Sequence, residues 1–290
     1  MQKQINIILV FPILTGLILI SGSFSVEKNY LRKNENTAMK IVFSMLDSIK
    51  AIKSMSFHLK ALERVGDKIF TAESDIKINS NPKMIYFHSV RKKISVFWKD
   101  GANNGNALVK ARMTFNATVS LDPYGNLMRK NQHYTIHELG YVFFAKTLSI
   151  AILKGKETIE KKFTYLGKKN LKEKPCFVIM YDDAEFGYFE YKTNKNESVS
   201  SIAIKFNVSD FAIRSKNDLH SFYGTIKEGT ILKIPNNYCK KIIIFIDEKN
   251  MLPMNITTYD EVGLYENYEY ENLELNNKLT FADFQQFYND

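Results

Sequence analysis

Cysteine is almost missing from this chain. Cys176 and Cys239 are the only two in 290 residues, with no C-x-x-C pair and no neighbouring histidine–cysteine cluster, which leaves thiol catalysis and structural zinc without support. Each abuts a strand-like run, at 177–181 and 242–246, so a disulfide between Cys176 and Cys239 and two buried free thiols both fit the sequence. Glycine- and serine-rich linkers are missing too, as is any internal repeat of fixed period, so residues 26–290 read as one domain. No G-x-S-x-G, Walker or dinucleotide fingerprint occurs. No catalytic residue and no cofactor is therefore assigned, and the reading is not an enzyme.

What is present is an ordinary globular composition, 45% hydrophobic and 24% charged. The first stretch departs from it: Lys3 precedes a run at 5–20 broken only by Asn6, Pro12, Thr15 and Gly16, and Ser21-Gly22-Ser23-Phe24-Ser25 follows with small residues. This pattern predicts a secretory signal peptide over 1–25, with an uncleaved membrane anchor as the other reading. The net charge of +9 suits anionic surfaces such as lipid headgroups. Its lysines are spread along the chain, however, as on a solvated surface. Export excludes nucleic acid as a partner.

Alternation predicts a meander of antiparallel strands. Val96-Phe97-Trp98 and 107–111 flank Asn104-Gly105, a tight-hairpin signal because primed turns need positive φ. Asp122-Pro123-Tyr124-Gly125 is a second turn. Before the meander, Ala38, Ile41, Val42, Met45, Leu46, Ile49 and Ile52 make one apolar helical stripe. Strands are expected at 54–65, 69–78, 84–90 and 94–98, then a long helix over 134–154, then strands at 157–166, 176–181 and 202–208. The lysine-rich segment 168–174 reads as a hairpin loop, 209–221 has weak helical character, and strands close the chain at 229–235, 238–246, 251–260 and 263–275.

His133 and His137 are four apart on the expected helix and face one way, but the order Gln132-His133-Tyr134-Thr135-Ile136-His137 lacks the glutamate a metalloprotease helix carries between its ligands. No metal site is assigned. A metal-dependent hydrolase using this region stays the least favoured reading. Asp182, Asp183, Glu185 and Glu190 read as solvated turn acids, and so do Asp260 and Glu261.

The run Trp98-Lys99-Asp100-Gly101-Ala102-Asn103-Asn104-Gly105-Asn106-Ala107-Leu108-Val109 resembles an uncharacterised bacterial family of exported proteins, a domain of unknown function with the fold of the lipoprotein carrier LolA. The turn Leu121-Asp122-Pro123, the segment Asn131-Gln132-His133, and Leu252-Pro253 with residues 259–268 carry the same resemblance. It implies an α+β fold in which a single curved, half-open antiparallel β-barrel is covered on its concave side by α-helices. It further implies a periplasmic or outer-membrane-periphery location in a Gram-negative bacterium, a monomer, and a greasy cavity for the acyl chains of a lipid or lipoprotein, with an envelope membrane protein as a further partner. The wall residues expected are Phe97, Trp98, Tyr141, Phe143, Phe144, Leu148 and Ile152, from the strand and helix that should face each other. The competing reading is an envelope interaction module whose core is filled.

Overall fold

The structure is a computed structural model that describes residues 36–111, 117–221, 224–284 and 287. The expected signal peptide at 1–25 lies outside the described residues. Among these, no helix is long and apolar enough to cross a membrane.

The first helix, α1 (Thr37–Lys50), buries the stripe the sequence predicts, from Ala38 through Val42 and Met45 to Ile49. Six strands follow: β1 (Ser54–Val65), β2 (Lys68–Ser80), β3 (Lys83–Ser89), β4 (Ile94–Lys99), β5 (Ala107–Ala111) and β6 (Ala117–Leu121). β1 buries Met55, Phe57 and Leu59 while their neighbours Ser56, His58 and Lys60 are more exposed, because side chains alternate across a strand. The β4–β5 hairpin forms where Asn104-Gly105 predicts it, with Asn103, Asn104 and Gly105 all at positive φ. The chain then turns at Asp122, whose carbonyl accepts from the Gly125 N–H at 2.9 Å. It continues through the single turn α2 (Asn126–Arg129) to α3 (Val142–Gly155).

After α3 come β7 (Phe163–Leu171), β8 (Lys174–Asp182) and an excursion made of β9 (Tyr188–Lys192), α4 (Val199–Phe206), α5 (Asp210–Lys216) and β10 (Ile231–Pro235). The last elements are β11 (Lys241–Asp247), β12 (Pro253–Tyr259), β13 (Leu264–Leu275) and α6 (Phe281–Phe284). Eleven strands make one curved antiparallel sheet in the order β6-β5-β4-β3-β2-β1-β13-β12-β11-β8-β7, whose ends β6 and β7 do not close on each other. The half-open antiparallel architecture with covering helices is the one expected. β9 and β10 pair separately, over a small core of Val199, Ile202, Val208, Ile213, Leu232 and Ile234.

Several local expectations are corrected. The long helix over 134–154 begins only at Val142. Thr135 and Glu138 cap each other in a short 3₁₀ turn (Ile136–Glu138), and Gly140 sits at φ +82°, a conformation that ends any right-handed helix. Segment 202–208 is helix α4 rather than a strand. Its Ile-Ala-Ile alternation is overruled by caps: Ser198 accepts from the Ser201 N–H at 3.1 Å, and Asn207 closes the helix at φ +56°. The strand expected at 157–166 starts at Phe163, after a 3₁₀ turn (Lys156–Lys162). Of the four lysines in 168–174, Lys168 and Lys169 lie in edge strand β7 and Lys174 opens β8, with only Lys172-Glu173 turning. Lysine suits such an edge, where it discourages pairing with another chain.

The disulfide reading is also corrected, because Cys176 and Cys239 are both free and buried. Cys176 lies on β8 opposite Asp247 at one end of β11, whereas Cys239 precedes Lys241 at the other. The length of β11 therefore separates them, on the order of 20 Å along a strand, against the ~4.4–6.8 Å between Cα atoms that a disulfide requires.

Gly140 carries a stability prediction. A Cβ there meets Ile78 Cδ1 at 3.0 Å and Met55 Sδ at 3.3 Å, in a backbone conformation L-residues avoid. Gly140→Ala is expected to lower the unfolding free energy in urea by about 1–2 kcal/mol. An unchanged midpoint would show that the loop ahead of α3 adapts without cost.

Candidate functional site

Helix α3 lies over the sheet and leaves a narrow cavity. Its floor comes from Leu59 of β1, Tyr181 of β8, Ile242 of β11, Ile256 and Thr258 of β12, and Tyr268 and Tyr270 of β13. Phe143, Phe144, Thr147, Leu148 and Ala151 of α3 form the roof, and Tyr134, Tyr238, Cys239 and Glu266 close one end. The free space is about 60 Å³, roughly the share of two water molecules and well below the ~150 Å³ of a cavity that holds benzene. Burial pushes the Cys239 thiol well above its ordinary range, so it contributes to the wall as a small apolar group.

Three of the seven expected wall residues, Phe143, Phe144 and Leu148, line this cavity. Phe97 and Trp98 do not, and as neighbours on one strand they point to opposite faces of the sheet. Phe97 packs with Met84, Tyr86, Phe284 and Phe287, while Trp98 packs with Ile85, Val109 and Ile136 and donates its indole N–H to the Gly105 carbonyl at 3.0 Å. Tyr141 is fully buried beside the cavity, its ring 4.5 Å from that of Tyr270 and its hydroxyl donating to the Pro253 carbonyl at 2.6 Å. Ile152 is buried without reaching the void.

The closed end is polar and densely bonded. Glu63 of β1 and Glu266 of β13 are direct cross-strand partners, a pairing of like charges that costs stability unless a cation joins it. His133 supplies that cation. Its Nδ1 donates to Glu266 Oε1 at 2.6 Å, its Nε2 to the Arg64 carbonyl at 2.9 Å, and its backbone N–H to Glu63 Oε2 at 2.9 Å. The imidazole is stacked between Phe211 of α5, 4.1 Å away, and Tyr265 of β13, 4.4 Å away. Burial opposes the imidazolium, but the hydrogen bond and charge of Glu266, together with the charge of Glu63, outweigh it and lift His133 above its ordinary 6.5. Burial likewise raises the Glu63 carboxyl, against the pull of His133 and of the hydrogen bond from Tyr268. Glu266 also accepts from Tyr238 at 2.6 Å, Tyr134 at 3.0 Å and Thr258 at 3.2 Å.

This end is tied to the excursion through Arg129, the last residue of α2, which is only 1% exposed. Its guanidinium forks onto Asp210 of α5, with Nη2 at 2.8 Å and Nη1 at 3.2 Å, and Nη2 also donates to the His133 carbonyl at 3.1 Å. His133 and His137 therefore do not share a helix face. His137 sits in the 3₁₀ turn with its ring 4.4 Å from that of Trp98, and burial with the nearby charge of Lys83 lowers its pKa. Both His133 ring nitrogens are engaged by protein atoms, and no group of three or more metal-ligating side chains occurs among the described residues. Asp183, expected as a solvated turn acid, is buried on Lys162 at 2.6 Å, whereas Glu185 is exposed. Asp260 does shape a turn, accepting from the Val262 N–H at 2.9 Å and the Gly263 N–H at 3.1 Å, and it also pairs with Arg64.

Sequence reasoning did not find Glu63, Glu266, Arg129 or Asp210. One signal was available: Asn131-Gln132-His133 and the 259–268 segment both carry the family resemblance, and here they meet at the His133–Glu266 bond.

Residues 52–195 match a family model described as "Protein of unknown function (DUF1571)". No curated protein matches the chain. Among solved structures it is similar to the lipoprotein LppX of Mycobacterium tuberculosis, at 9% identity over 85% of this chain and 99% of that one, with a TM-score of 0.42. It is also similar to the MucA/MucB complex of Pseudomonas aeruginosa, at 9% identity over 86% and 60% with a TM-score of 0.39. A third likeness is to the LolA superfamily protein NE2245 of Nitrosomonas europaea, at 8% identity over 87% and 98% with a TM-score of 0.33. At such values none of them bears on what this chain binds.

Proposed function

We propose, from the match of residues 52–195 to the DUF1571 family model and from the geometry of the cavity, a non-catalytic envelope protein that binds a hydrophobic, acyl-chain-bearing lipid or lipoprotein between α3 and the sheet. The observation that carries the reading is the mismatch between what α3 is and how little of it is covered. Nine of its fourteen residues are Val, Phe, Ala, Leu or Ile, yet only Leu148, Ser149 and Ile152 are buried. Each methylene moved from water into an apolar site is worth about 0.8 kcal/mol. A chain sliding under α3 therefore gains burial on the roof and on the floor together. Because the resting space is about 60 Å³, binding requires α3 to lift. Gly140 at φ +82° precedes the helix and Gly155 ends it.

Filling the void is the direct test. An indole exceeds the free space of about 60 Å³, so Ala151→Trp is expected to abolish binding of an apolar fluorescent probe at a cost of about 1–3 kcal/mol in stability from overpacking, with the far-ultraviolet circular dichroism of the parent protein retained. A probe that binds the variant as well as the parent would remove the cavity from consideration. The small volume and the densely bonded polar end favour the second reading, a packed interaction module. It predicts no saturable probe binding in either protein.

A further inference from the structure

The outer side of the cover has features that the cavity does not explain. A groove of about 310 Å³ runs between α3 and α4, lined by Tyr124, Val142, Lys146, Ile150, Ala203 and Ile204 among others. Large apolar side chains stand out along it: Val142 is 70% exposed, Ile204 75% and Tyr124 52%. Scattered exposed hydrophobics are normal on a soluble surface, but here Val142 and Ile204 stand on two adjoining helices and Tyr124, from the turn before α2, lines the same groove.

Charge separates the possible occupants. Neither α3 nor α4 contains an aspartate or glutamate; α3 carries Lys146, which lines the groove, and Lys154, while Lys205 of α4 is held away from it on Tyr191 at 2.7 Å and Glu197 at 3.4 Å. The acids that do reach the groove are engaged from within: Asp210 by the Arg129 fork, and Glu138 by the Thr135 backbone N–H at 2.7 Å and hydroxyl at 2.9 Å. Lys154 bridges the helices by donating to the Phe206 carbonyl at 3.0 Å, which keeps the two apolar edges side by side. Exposed aliphatic and aromatic residues set among lysines, with no acid on either helix, match an interfacial surface that inserts apolar tips between anionic headgroups. We propose that the outer face of α3 and α4 docks on a bilayer rich in acidic phospholipid. This goes beyond the cavity reading and does not require that the cavity take a chain.

The buried native thiols make a site-specific test practical. Val142→Cys and Ile204→Cys, each labelled with an environment-sensitive fluorophore on the full chain, are mixed with phosphatidylglycerol–phosphatidylcholine vesicles, and Asp67→Cys in the exposed β1–β2 turn serves as control. The expected result is a blue-shifted, several-fold brighter emission at 142 and 204, weakened by salt, weaker still with phosphatidylcholine alone, and missing at 67. Unmoved emission at 142 and 204 overturns the proposal and leaves the face to a protein partner or to none. An equal response at 67 also overturns it, since the contact is then not specific to this face. Adding Ala151→Trp to the labelled proteins separates the two readings: it removes cavity binding and leaves the vesicle response intact.

Discussion

His133→Ala is expected to lower the unfolding free energy by about 3–5 kcal/mol, the cost of removing one member of a buried ion pair. The penalty is set by what stays behind. Glu63 and Glu266 would face each other across β1 and β13 with no cation between them, Arg129 would keep its fork on Asp210, and Phe211 and Tyr265 would face a hole. Urea denaturation at neutral pH measures it. Replacing the pair together, His133→Leu with Glu266→Leu, should cost less than the single change, because the uncompensated charge goes with its partner. A single-variant loss below about 1 kcal/mol, the scale of a surface pair, would contradict the arrangement.

The same cluster fixes the sign of a pH dependence. The folded state raises the His133 pKa, so its contribution is fully present below the ordinary value of 6.5 and is lost as pH rises through the higher folded value. The raised Glu63 carboxyl acts in the same direction, since its ionisation is disfavoured by burial in the fold and unopposed in the unfolded chain. Stability should therefore decline from mildly acidic to alkaline pH, and the decline should persist in His133→Ala, where loss of the imidazolium lets burial and Glu266 raise the Glu63 carboxyl further.

The second large effect belongs to Arg129 and Asp210. Asp210→Ala is expected to cost about 3–5 kcal/mol, because it strands a buried guanidinium. Arg129→Ala should cost somewhat less, since Asp210 keeps partial access to water, with 17% of its side chain exposed. Arg129→Lys should recover only part of the loss, because an ammonium cannot reproduce a planar two-point contact. Equal midpoints for Arg129→Lys and the parent would show that charge alone suffices.

How much of this was legible in the sequence differs between elements. The strands of the meander follow from alternation, as in Met55, Phe57 and Leu59, and the hairpin at 103–105 from its asparagine–glycine turn. Segment 202–208 misled because a helix that is apolar on several faces looks like a strand over seven residues, and only its caps at Ser198 and Asn207 distinguish the two. In the site, Phe143, Phe144 and Leu148 were readable from their place on one helix. Phe97 and Trp98 follow from the expectation that their strand faces that helix, but neighbours on a strand point to opposite faces and neither reaches the cavity. The polar end was hidden because Glu63 and Glu266 become neighbours only through the β1–β13 register, which local sequence does not encode. His133, which the sequence places on a helix with no metal site assigned, is the cation that register demands.

The account turns on α3 leaving the sheet to admit a chain that a 60 Å³ space cannot hold. Native mass spectrometry of the protein purified from its own host tests this most directly. The account predicts a bound species of lipid mass on the parent protein that is missing from Ala151→Trp. A parent protein carrying no such mass, and taking up none when offered acyl-chain lipid, would contradict it.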